Sequence, residues 1–375
     1  MQRRATLKDV ARAAGVHLST VSRALNPRTQ CLLTPEVVER IGRISRELDY
    51  SPNAAAHSLR TNRTRTIGIV VPDITNPVFP PIIRGIEDAL AKRGYLAIVA
   101  NTDSRLNREE EIAHLLRARG VDGLILASVE RQDDAISRLA AEGLPIVTVN
   151  RRLDDPAVSS VVNHEEAGIR DVLAHLHSLG HRAIAHIAGP QAMSTGVERY
   201  RAFEAHRRAR ASGGSPALVA FATAFNEDEG FARTAELISQ RTPFTAIVCA
   251  NDRLAIGAIA ALRRYEMECP RDVSVTGYND MPLVDRLSPA LTTVRIQQYE
   301  SGFDAAAMLV DLIETPPAER RPSHLVRPVE LIVRESTAGL PKARKGRANI
   351  LQVAPDHVTM RRFGATLPRQ SENKS

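Results

Sequence analysis

The sequence predicts an N-terminal all-α helix-turn-helix headpiece followed by an α/β core of two lobes, each a doubly wound parallel sheet. Three observations carry this. Two short amphipathic helices joined by a glycine open the chain, and from Ile67 onward β-branched runs alternate with amphipathic helices in two successive sets. The 375-residue length, at roughly 150 residues per domain, suits two or three domains.

The helices of the headpiece follow from spacing. Thr6 and Asp9 make a capping-box-like start, and Leu7, Val10, Ala11 and Ala14 then recur at helical period. Gly15 supplies the turn. A second helix is expected from Leu18 to Asn26, with Val21 and Leu25 inward and Ser19, Thr20, Ser22 and Arg23 outward. Thr34 as N-cap and Pro35 at the first helical position begin a third, whose Val37, Val38, Ile41, Ile44 and Leu48 should close a small core. Hydroxyls and one arginine on the outer face of the second helix suit phosphate contact and guanine reading. Leu18, apolar at the helix tip, suits a thymine methyl.

The core strands are read from IGIVV, YLAIVA, GLILAS and PIVTV, then AIAHIA, TAIVCA and VSVTG. Their near-continuous apolar character indicates buried parallel strands in βαβ units. A ligand is expected in the crevice at the carboxyl ends of the strands. The candidate groups lie just beyond those ends: Phe79, Asn150, Asn251, Asp252, Asn279 and Asp280, with Arg199 in GVERYRAF and Phe225 in TAFNEDEG. Aromatic faces, amides, a carboxylate and a guanidinium suit a sugar or similar polar molecule. Core packing for the two phenylalanines, and helix capping for Asn251 and Asp252, are the competing roles.

Charge is divided along the chain. Residues 1–66 hold 12 Lys/Arg against 5 Asp/Glu, residues 67–340 hold 30 against 36, and residues 341–375 hold 8 against 2. The formal total of +7 thus conceals basic ends around an acidic middle, which suggests a polyanion partner for at least one end. With 43% apolar and 25% charged residues, the chain has the composition of a globular protein. Cys31, Cys249 and Cys269 are odd in number and widely spaced, and MQRRATLKDV lacks an apolar core segment. A reducing cytoplasm is the expected compartment. No run approaches the roughly 18 to 20 apolar residues that a membrane span requires.

The run ATLKDVARAAGVHLSTVSRALN, then TPEVVERI, LDYSPNAAAHSLR and TIGIVVPDITNP, resembles the lactose-repressor family of bacterial transcription regulators, over about residues 5–338. The resemblance implies a DNA-binding repressor that works as a homodimer on a near-palindromic double-stranded operator. It also implies a core similar to periplasmic sugar-binding proteins, controlled by a small-molecule effector. Leu18, Ser19 and Arg23 match its base-reading positions, and Thr20 and Ser22 its phosphate-contacting hydroxyls. The Ala-rich segment after Tyr50, too short to be a stable helix alone, matches a hinge helix that orders in the minor groove. Asn53, Ala56, His57 and Leu59 are its groove positions, Leu59 being the wedge. Phe79, Asn150, Arg199, Phe225, Asn251, Asn279 and Asp280 match effector contacts.

Several positions depart from the family pattern. His17 stands where Ser usually caps the recognition helix, His57 where Arg is frequent, Asn279 where Asp is frequent, and Met193 where a purine-binding member has Arg. The segment 27–33 is about two residues long for the pattern.

Chemistry of other kinds is not expected. His175 and His177 point about 200° apart on a helix, and no Cys or carboxylate completes a metal spacing. Walker, GxSxG and GxGxxG motifs are absent from the sequence, so neither an enzyme nor a cofactor is expected. The acids around Glu109–Glu111 and Glu227–Glu229 read as solvated faces. The basic tail after Gly339 has no periodicity and lies outside the resemblance. The competing functions are a free small-molecule-binding protein with a vestigial headpiece and a DNA-binding protein whose core docks a protein co-effector.

Overall fold

A computed structural model of the chain describes residues 5–25, 29–50, 63–210 and 218–340. Asn53, Ala56, His57, Leu59 and the basic tail lie outside them.

In the headpiece, helices α1 (Leu7–Ala14), α2 (Leu18–Ala24) and α3 (Pro35–Glu47) pack around Val10, Ala11, Ala14, Val21, Ala24 and Ile41. Asp9 accepts both the backbone N–H and the hydroxyl of Thr6, at 2.9 and 2.6 Å, so the start of α1 is fixed within one turn. Gly15 ends it at φ 63°, a left-handed conformation that glycine adopts without strain. Thr34 and Pro35 hold their expected positions, although the Thr34 side chain makes no capping bond to the helix. Leu48 does not close the core as expected. It is the C-cap residue of α3, 37% exposed, and Tyr50 packs against the cluster instead.

The chain divides into two compact units. The first, to which the headpiece is joined, is residues 1–163 with 297–327; the second is 164–296 with residues from 328 onward. Unit 1 has one six-stranded parallel sheet built of β1 (Thr66–Val71), β2 (Leu96–Asn101), β3 (Gly123–Leu126), β4 (Ile146–Val149), β5 (Ser159–Asn163) and β11 (His324–Arg327). Their order across the sheet is β11-β5-β4-β3-β1-β2. Helices α4 (Phe79–Lys92), α5 (Leu106–Ala118), α6 (Asp134–Ala141) and α11 (Gln298–Glu314) belong to this unit. Helices α4 and α11 approach so closely that a Cβ at Gly85 or Gly302 would strike the facing backbone carbonyl of Tyr299 or Ile82.

Unit 2 has a four-stranded parallel sheet ordered β7-β6-β8-β9, made of β6 (Ile184–Ala188), β7 (Val219–Phe221), β8 (Ala246–Cys249) and β9 (Ser274–Thr276). An antiparallel pair, β10 (Thr293–Arg295) with β12 (Glu330–Ile332), accompanies it. Its helices are α7 (Glu165–Ser178), α8 (Ser194–Arg210), α9 (Glu227–Ser239) and α10 (Asp252–Arg264). All seven apolar runs read from the sequence form strands. Those missed are the serine-led β5, the short β10, β11 and β12, whose apolar residues are interrupted by polar ones, and β7, although it lies in the apolar run ALVAFA.

Candidate functional site

The outer face of α2 is built by burying its other side. Val21 and Ala24 are 0% and 5% exposed, which leaves Leu18, Ser19 and Arg23 on the surface and Thr20 and Ser22 half-buried. His17 occupies the N-cap with extended backbone, and its Nδ1 accepts the Ser19 N–H at 3.3 Å while lying 2.8 Å from Ser19 Oγ. An imidazole nitrogen thus does what a serine oxygen usually does at this position, satisfying one of the orphan donors of the first turn. Leu18 is 39% exposed at the helix tip.

The other candidate residues stand at the carboxyl ends of the sheets. In unit 1, Asn150 directly follows β4, 8% exposed and held at φ 66°, and its Oδ1 lies 3.5 Å from Asn163 Nδ2. Phe79 is 1% exposed at the first position of α4 and is a core side chain. Three neighbours at this end were not foreseen. Glu109 is 2% exposed and accepts the Ser128 hydroxyl at 2.7 Å, and Arg151 donates to the Ser128 carbonyl at 3.2 Å. Burial raises the Glu109 carboxyl to about 7, so it is not the solvated acid that its charged surroundings suggest. Glu227 and Glu229 are likewise engaged, with Arg253 at 2.8 Å and with the Thr223 N–H at 2.6 Å.

In unit 2 the structure gathers Arg199, Asn279, Asn251 and Asp280 and supplies partners for each. The guanidinium of Arg199, 2% exposed, donates to both oxygens of Glu165, at 2.7 and 3.1 Å, and to the carbonyl of Ala250 at 2.6 Å. It also donates to Asn279 Oδ1 at 3.4 Å and stacks 3.7 Å above the Tyr278 ring. Burial opposes its charge, but the Glu165 carboxylate more than restores it, so the arginine stays ionised. Asn279 is held at φ 115°. Left-handed backbone at a non-glycine residue is uncommon and clusters at ligand sites, and Asn150 and Asn279 both show it.

Asn251 caps α10, its Oδ1 accepting the Leu254 N–H at 2.8 Å. Asp252 is fully buried, accepts the Met281 N–H at 2.9 Å and the Thr293 hydroxyl, and is pushed up to about 7 by burial. Asp280 receives Arg295 at 2.8 Å and Arg334 at 2.7 Å, so both carboxylate oxygens are occupied. Phe225 is half-buried over Gly189, just beyond β6, and packs against the unit 2 core. Glu165 escaped the sequence reading because an acid in the first turn of a helix ordinarily faces solvent and complements the helix dipole.

The histidines serve the fold. His181 lies 2.9 Å from Thr245 Oγ1 and, through its other nitrogen, 2.9 Å from the Ala338 carbonyl, while His175 lies 3.0 Å from Thr337 Oγ1. They fasten the chain beyond β12 to unit 2. Among the described residues no group of three His, Cys, Asp or Glu side chains could hold a metal ion, and no helix is long and apolar enough to cross a membrane.

Residues 6–53 match the family model of the bacterial regulatory proteins, lacI family, and residues 173–337 match that of the periplasmic binding protein-like domain. The chain is 34% identical over 333 residues to the HTH-type transcriptional regulator RegA of Clostridium saccharobutylicum, covering 88% of this chain and 99% of the relative. The chain belongs to the lacI family. As a lacI-family member it is a DNA-binding regulator of transcription and not an enzyme. Among solved structures it is similar to a lac repressor dimer bound to operator and the anti-inducer ONPF. That match has a TM-score of 0.79 and 25% identity, over 90% of this chain and all of the other. It is also similar to a complex of the transcriptional regulator CelR with cellobiose (TM-score 0.67, 32% identity), over 89% of this chain and all of the other. This lacI-family protein thus combines the two-domain architecture of its relatives with a histidine-capped second helix.

Proposed function

We propose that this lacI-family regulator is a cytoplasmic, homodimeric repressor that binds a near-palindromic operator and is controlled by a sugar-like effector. Each headpiece lays α2 in a major groove, where Leu18, Ser19 and Arg23 read base edges and Thr20 and Ser22 hold phosphates. Asn53, Ala56, His57 and Leu59 enter the central minor groove, with Leu59 as the wedge. Support for the base-reading role comes from the exposure of Leu18, Ser19 and Arg23 on one face of a capped helix, and from the basic charge of residues 1–66.

For the effector, the observation that carries the reading is the pair of buried Arg199 and half-buried Asn279, joined at 3.4 Å beyond β8 and β9, with Phe225 over Gly189 beyond the neighbouring β6. The related CelR structure holds cellobiose. Within the second unit, hydroxyl groups would meet Arg199 and Asn279 and the flat sugar face would meet Phe225. A coupling of about 1 to 3 kcal/mol between the two sites changes operator affinity roughly 5- to 150-fold. Titrating operator binding of the full chain across neutral sugars tests this. A sugar that shifts operator affinity supports it, and an unaltered affinity with every sugar that binds the core overturns it.

A further inference from the structure

The partner of Arg199 bears on the charge of the effector. A guanidinium carries five N–H groups in a fixed fork. Nε and Nη2 are closed on the two oxygens of Glu165 at 2.7 and 3.1 Å, Nη1 donates to Ala250 at 2.6 Å, and Nη2 donates again to Asn279 at 3.4 Å. One N–H on Nη1 remains. The side-on edge of the guanidinium, Nε with Nη2, is therefore taken by the protein's own carboxylate, and the end-on edge, with Nη2 on Asn279 and Nη1 half-used by Ala250, keeps too few N–H groups for two parallel bonds to a second carboxylate or phosphate. Glu165 is 3% exposed, so its charge is poorly screened and would act on any anion brought to Arg199. Arg295 and Arg334 are already engaged, Arg295 with Asp280 and Glu330 and Arg334 with Asp280 and the Leu291 carbonyl.

We infer that the effector is an uncharged polyhydroxy compound and that Glu165 is the residue that excludes sugar acids and sugar phosphates. This deepens the sugar reading given above and rests on it. A single N–H suits a hydroxyl or ring oxygen. The Glu165 carboxylate cancels the arginine's charge while fixing its orientation, which makes it a positioning and selecting residue rather than a direct ligand.

Isothermal titration of the full chain tests the inference. Neutral pentoses, hexoses and disaccharides are compared with the uronates and phosphate esters of the same sugars. The expected result is a neutral sugar that binds, with its anionic counterparts weaker by about 100-fold or more, the penalty of juxtaposed like charges. In Glu165→Gln, which keeps the side-chain shape but removes the negative charge, the gap should narrow by at least about tenfold through a gain for the phosphate ester. A generally loosened site would weaken both ligands and produce no such gain. An anionic sugar that binds wild type as tightly as its neutral counterpart overturns the exclusion while leaving the sugar reading intact. A folded Glu165→Gln protein with an unchanged gap overturns the role of Glu165. If that variant fails to fold, the wild-type panel still decides whether anions are excluded. Binding of no sugar of either charge overturns the sugar reading and this inference with it.

Discussion

Asp122 holds Thr64 by two bonds from a single oxygen, the Thr64 backbone N–H at 2.8 Å and its hydroxyl at 3.1 Å, while the other oxygen takes the Arg65 N–H at 2.9 Å. The Thr64 hydroxyl shares its one proton between that oxygen and the Gly120 carbonyl, the nearer acceptor at 2.6 Å, and Arg63 donates to the Ile313 carbonyl at the end of α11 at 2.8 Å. The segment that leads from the headpiece is thereby fastened to unit 1 just before β1 begins.

Replacing Asp122 by Ala leaves two backbone donors without their acceptor. The expected cost is about 1 to 3 kcal/mol of unit 1 stability. The variant should bind effector as wild type does but transmit less of it to the operator. Operator affinity measured with and without sugar should change by a smaller factor than in wild type, and an equal factor would remove Asp122 from the coupling.

At the N-cap of α2, His17→Ala removes the acceptor of the Ser19 N–H, and headpiece stability should fall by about 1 kcal/mol. His17→Ser should restore it, since serine is the stronger capping residue. Thermal melts of the three proteins, read at the headpiece transition, separate the cap from other roles of the imidazole.

Arg23→Ala should relax the preference for one base at a single operator position, by about 1 to 3 kcal/mol. Selection of binding sites from a random pool reads this directly. Affinity that falls by the same factor on every sequence would assign Arg23 to the phosphates instead.

Glu109 gives a pH prediction. Its carboxyl is raised to about 7 in the folded chain from an ordinary value of 4.5. Between those values the folded state binds more protons than the unfolded state, so this group's contribution to stability declines as pH rises from about 4.5 to 7. Glu109→Gln has no such proton to lose. Its stability relative to wild type should therefore rise across that window, by up to about 3 kcal/mol. Unfolding midpoints of both proteins between pH 5 and 7.5 check the sign, and a constant difference would show that Glu109 is ionised throughout.

The headpiece and seven of the strands were legible because their signals are local. A capping pair three residues apart, a glycine turn and apolar residues at helical period define α1 and α2 without reference to the rest of the chain. Continuous apolar runs likewise announce β1 and β8, whose residues are buried on both faces of a parallel sheet. The serines at the start of β5 are as buried as those strands, yet their hydroxyls conceal it.

The candidate site residues were legible only in part. Sequence alone determined that Asn150, Asn251 and Asn279 would stand near strand ends, because the apolar runs fix where each strand stops, while Arg199, inside a helix, was marked only by the family resemblance. The tertiary structure decided what each of them does there. It brought Glu165 to Arg199 from 34 positions away, and Arg295 and Arg334 to Asp280 from 15 and 54 positions away. It also turned Phe79 into the core and left Leu48 exposed. Such pairings form between side chains distant along the chain, in a medium where burial penalises an unpaired charge, and no spacing in the sequence records them.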